Sequence, residues 1–162
     1  MKTFKLLLIL MLLSCLGSCS KEDDEIYLNP ITESKNSYSK MELEILSLVN
    51  NYRNTLEINK LNKLDVVSSV ASTHSKYMAE IGKVSHDNFP ERHKKLVSSA
   101  MAKVVGENVG YGFNTAKGVF NAWIASDSHR VLIENSKYTH FGISTEQSND
   151  NRNYFTLIFI TK

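Results

Sequence analysis

Two histidines and a glutamate carry the chemistry available to this chain: His86 in Ser85-His86-Asp87-Asn88-Phe89, Glu107 in Gly106-Glu107-Asn108-Val109, and His129 in Ser126-Asp127-Ser128-His129-Arg130. They lie 21 and 22 residues apart, so a shared pocket must join the ends of at least three separate elements. Two neutral imidazoles and a carboxylate suit a zinc ion completed by water. The same groups also serve as general acid and base. The plain alternative for each histidine is a hydrogen-bonded, partly buried side chain.

The elements that must position these residues are legible from periodicity. A first helix is expected over 42–56, where Ile45, Leu48, Val49, Tyr52 and Leu56 form one apolar stripe. A second is expected over 66–81, with Val67, Val70, Ala71, His74, Met78 and Ile81 on one face, Asp65 as N-cap and Gly82 as stop. His74 then faces the core and reads as a buried imidazole satisfied by a neighbour. Pro90 opens a third helix running to about Met101, which leaves His93 at the rim. Residues 103–111 read as a strand interrupted at Gly106 and Gly110, where backbone comes close to a neighbour. A fourth helix, 115–126, carries Ala116, Val119, Phe120 and Trp123 on one stripe, capped by Asn114 or Thr115. Two strands follow, 139–145 and 154–161. The apolar run Phe155, Leu157, Ile158, Phe159, Ile160 implies burial on both faces. The fold class is α+β, with helices on both sides of a small antiparallel sheet.

The first 18 residues read as an export signal, a basic start followed by a short apolar run from Leu6 to Leu13. Leu16-Gly17-Ser18-Cys19 resembles a bacterial lipobox, which makes Cys19 the acylated residue. Leu12-Leu13-Ser14-Cys15 is the weaker competing match. The acidic cluster Lys21-Glu22-Asp23-Asp24-Glu25 resembles a surface-export signal of gram-negative lipoproteins, and a solvated spacer is its bland alternative. Residues 19–40 read as a tether and 41–162 as one domain. The expected location is the outer membrane, anchored by lipid and facing the cell surface.

Both cysteines precede the domain, so it has no internal disulfide. From residue 41 there are 14 Lys and Arg against 12 Asp and Glu. With no basic stripe among aromatics, nucleic-acid binding is disfavoured.

The order of motifs, His74-Ser75, Ser85-His86, Gly106-Glu107-Asn108, Trp123 with Ser126-Asp127-Ser128-His129-Arg130, then Tyr138-Thr139-His140-Phe141-Gly142, resembles the CAP superfamily (cysteine-rich secretory, antigen 5 and pathogenesis-related proteins; the SCP domain) in its short bacterial form. The resemblance implies a three-layer α-β-α sandwich whose open cleft holds His86, Glu107 and His129 and often takes zinc. The second acid of animal and plant members falls near Ser126, which removes one carboxylate and weakens any metal site. Asp127 is the alternative donor, and Arg130 is expected to pair structurally around its loop. The preferred reading is a non-catalytic module that binds a lipid or sterol, a cell-wall glycan or a host protein. The alternative is a zinc-assisted hydrolase of peptide or amide bonds, with His86 and His129 on the metal and Glu107 activating water.

Overall fold

A computed structural model describes residues 37–162, so the expectations for the export signal, Cys15, Cys19 and most of the tether lie outside the described residues. The chain folds as α1 (Lys40–Thr55), β1 (Asn62–Lys63), α2 (Asp65–Ile81), α3 (Phe89–Ala100), β2 (Val104–Tyr111), α4 (Ala116–Ala125), α5 (Asp127–Glu134), β3 (His140–Gln147) and β4 (Asn153–Thr161). The sheet order is β1-β3-β4-β2. The three long strands are antiparallel, as expected, but the two-residue β1 pairs parallel to β3, so the sheet is mixed.

Alternation along β4 builds both cores. Phe155, Leu157 and Phe159 pack with Ile45, Val49, Val119 and Trp123 of α1 and α4. Ile158 and Ile160 face the other way, onto Val67, Val70, Ala71 and Leu96 of α2 and α3. Each buried side chain of this size contributes about 1.5–3 kcal/mol, which is why the central strand reads as unbroken apolar sequence. The helical layers approach the sheet closely. At Gly142 an added Cβ would lie 2.4 Å from the Ser68 amide nitrogen, and the Ser68 hydroxyl accepts the Ile143 N–H.

Residues just ahead of 41 also make folded contacts. Ser39 caps α1 in a capping box with Glu42, and the buried Glu42 carboxylate also accepts the Thr145 N–H at 2.7 Å. Tyr38 donates to Asp65 or Ser68, both within 2.8 Å. Asp65 is therefore the first residue of α2 rather than its cap; Leu64 occupies that position and makes no side-chain cap bond. Gly82 ends α2 in the left-handed region, as expected. Leu56 and Ile81, assigned to apolar stripes, are exposed because each sits at its helix end. Strand β2 runs through Gly106 and Gly110 without interruption. Both glycines make room for side chains from the α4–α5 side of the sheet, Tyr138 at Gly106 and Val119 at Gly110. The helix α5, short and mostly polar, has no sequence expectation behind it. No helix among the described residues is long and apolar enough to cross a membrane.

Candidate functional site

Strand β2 passes between the two helical layers, and consecutive residues point to opposite faces. Glu107 points towards α2 and α3, where its side chain is 1 % exposed. Arg92, fully buried on α3, grips it with both ends of its fork: Nε donates to Oε2 at 2.7 Å and Nη2 to Oε1 at 2.7 Å. The third guanidinium arm donates to the Asp87 carbonyl at 2.6 Å. His86, in the α2–α3 loop, meets Oε1 through Nδ1 at 2.8 Å. Burial alone would raise the Glu107 pKa; the bonds from His86 and Arg92 outweigh it and hold the carboxyl below its ordinary range. An ionised carboxylate only accepts, so Nδ1 of His86 donates. The imidazole, half-exposed, thereby turns Nε2 outwards.

His74 lies behind this pair. Its Nε2 sits 2.8 Å from the Ser85 carbonyl and 3.9 Å from Glu107 Oε1, while its buried Nδ1 has no hydrogen-bond partner among the described residues. Burial, followed by the Arg92 charge, pushes it down to about 4, so it is neutral at pH 7. The expected satisfied core imidazole is thus found, satisfied at one nitrogen.

Asn108, next in sequence, points to the opposite face and donates to the His129 carbonyl at 3.1 Å. His129 sits on the first turn of α5, its Nδ1 2.8 Å from the Ser126 hydroxyl. Burial first, and then the nearby charge of His86, lower its pKa. The fold therefore brings His86, Glu107, Ser126 and His129 to the middle of β2, with the two histidines on opposite faces of the strand. Asp127 does not join them. It is almost fully exposed and pairs with Arg130, which also donates to the Ile124 carbonyl, the structural role expected of that arginine. His93 is partly exposed against Phe89, at the rim.

These residues do not fit a zinc ion. Both oxygens of Glu107 are taken by a guanidinium, whose positive charge sits where a dication would need negative charge. Among the described residues no group of three or more His, Cys, Asp or Glu is arranged to hold a metal. The group that sequence reasoning missed is Arg92. Its signal was present: Arg92, Leu96 and Ala100 recur at i, i+4, i+8, placing an arginine on the face where the core requires an apolar residue.

The profile of the cysteine-rich secretory protein family, CAP, matches residues 46–159. The chain is 29 % identical over 130 residues to YlbC, an uncharacterized membrane protein of Bacillus subtilis, covering 75 % of this chain and 34 % of that one. It thus spans about a third of that relative's length. An outer surface protein of Borrelia burgdorferi superposes with a TM-score of 0.68 at 23 % identity, covering 80 % of this chain and 99 % of the other. An extracellular protein of Bacillus anthracis containing an SCP domain gives 0.64 at 23 % identity, over 75 % of this chain and 40 % of that one.

Proposed function

The chain belongs to the cysteine-rich secretory protein (CAP) family, and from that premise we propose that it is an extracellular binding module. Its ligand is received between His86 and His129, with Ser126 alongside and Glu107 beneath. The observation that carries this reading is the Arg92–Glu107–His86 network. A carboxylate fixed by a buried arginine serves to orient His86, and it is neither a free metal ligand nor a base for water. The outward Nε2 of His86 and the Ser126–His129 pair remain as hydrogen-bonding groups for a ligand. Ser126 and His129 are within hydrogen-bond reach, but among the described residues no carboxylate orients His129 as a catalytic base requires, so hydrolysis has little support.

The extracellular setting follows the relatives, named as outer surface and extracellular proteins. Within it, the reading of Cys19 as a lipid-bearing residue makes this an envelope lipoprotein, and the resemblance of Lys21-Glu22-Asp23-Asp24-Glu25 to a surface-export signal supports the outer face of a gram-negative outer membrane. Metabolic labelling with an alkyne fatty acid, lost on Cys19→Ser, tests the anchor, and protease shaving of intact cells tests the facing.

The binding role is tested on the full chain in detergent against phospholipid vesicles, peptidoglycan fragments and linear peptides, beside a His86→Ala, His129→Ala double variant that must melt normally. The expected result is at least one class bound by the wild type and lost in the double variant. Equal binding by both proteins, or turnover of a peptide substrate that depends on the two histidines, overturns the reading. Zinc titrated into either protein is expected to leave the melting temperature unchanged.

A further inference from the structure

The hydrogen-bond pattern of β2 leaves one edge of the sheet open at the candidate site. At one end of the strand Gly112 N–H donates to the Asn153 carbonyl, and at the other Thr161, the register partner of Val104, turns its carbonyl towards β2, where it accepts the Lys103 N–H. With the register Val104↔Thr161 through Tyr111↔Tyr154, this makes the even-numbered residues of β2 the ones that bond to β4. The peptide groups of Val105, Glu107 and Val109 consequently point away from the sheet. Trp123 Nε1 closes one of them by donating to the Val109 carbonyl at 2.8 Å. Among the described residues nothing bonds the outward N–H and C=O of Val105 or Glu107. Glu107 as a whole is 6 % exposed although its side chain is 1 % exposed, so what water reaches there is main chain.

This open stretch lies between the two histidines. His86 is bonded to the Glu107 side chain on one face, and His129 holds Asn108 on the other. Charge narrows the choice of occupant. Glu107 is neutralised by Arg92 and Asp127 pairs with Arg130, so the strip presents no unpaired charge and suits a neutral amide chain. Donor–acceptor pairs about 7 Å apart along an extended strand match the repeat of another extended strand.

We infer that the outward edge of β2 at Val105 and Glu107 is a docking strip for an extended peptide segment of another protein, added as a further strand with its alternate side chains against His86 and His129. The inference deepens the proposed binding role and rests on it.

The test selects linear decapeptides from a displayed library on the full chain in detergent and measures affinity after N-methylation at each position. Strand addition gives a period-two pattern: loss of about 10-fold or more at alternate residues, little at those between. Val105→Pro removes one outward N–H without touching a bond to β4, and is expected to weaken the selected peptides severalfold while the protein still melts cooperatively. Peptides that bind without periodicity, or no peptide retained above the His86→Ala, His129→Ala variant, overturn the inference. If peptidoglycan fragments or vesicles alone bind in a histidine-dependent way, the strip proposal falls and the binding role stands; if nothing does, both fall.

Discussion

Replacing Arg92 by methionine is the perturbation that bears most directly on the site. The substitution removes two charge-assisted bonds of 2.7 Å to Glu107 and leaves a buried carboxylate with His86 as its remaining strong partner. Breaking a buried ion pair from one side costs about 3–5 kcal/mol. The surviving His86 bond places this case near the lower end, about 3 kcal/mol of a total stability of about 5–15. For a domain of this length that is a fall of roughly 10 °C in melting temperature. The pH dependence carries a sign. In the wild type the folded carboxyl lies below its unfolded value, so its stabilisation is present above the unfolded carboxyl pKa and lost as pH falls through the folded one. In Arg92→Met burial dominates and the folded carboxyl rises above its unfolded value. The variant then regains stability by protonating, and its deficit is largest near neutrality and shrinks towards about pH 4. Urea unfolding at several pH values, followed by fluorescence of the buried Trp123, measures this. Adding Glu107→Gln should recover much of the loss, since the two sites are directly coupled. A cost under about 1 kcal/mol at pH 7, or a deficit that grows on acidification, refutes the reasoning.

Three further outcomes follow from the same geometry. His74, pushed down to about 4, costs folding free energy as pH falls from about 6.5 to 4, up to roughly 3 kcal/mol; His74→Phe should remove that part of the slope in denaturant titrations. Gly142→Ala forces a Cβ to 2.4 Å from the Ser68 nitrogen and 2.6 Å from the Val67 carbonyl carbon, both helix backbone, and should cost about 3 kcal/mol or more by thermal unfolding. Met101 ends α3 at φ 57° with its side chain largely exposed; Met101→Gly should raise stability by about 0.5–1 kcal/mol by relieving left-handed strain.

Much of the fold was legible because its signals are local. Apolar periodicity in α1, α2 and α4, the glycine stop at Gly82 and the unbroken run of β4 each report which faces are buried, and burial is what those patterns record. Helix α5 was not legible as a helix. It is eight residues long and buries mainly Ile133, so it owes its existence to docking rather than to its own periodicity. Strand β1, at two residues, is likewise defined by its partner β3.

For the site, residue type singled out His86, Glu107 and His129, and the order of motifs shared with the CAP family added Ser126. What those groups can do was settled by contacts far apart in sequence. Arg92, 15 residues before Glu107, converts a prospective metal ligand into half of a buried ion pair. The alternation of β2 sends Glu107 and Asn108 to opposite faces, which sets a histidine on each side of an open strand edge. Sequence supplies the chemical groups and their local periodicity; which partner neutralises a buried charge, and which peptide groups stay unpaired, depends on how separate elements pack.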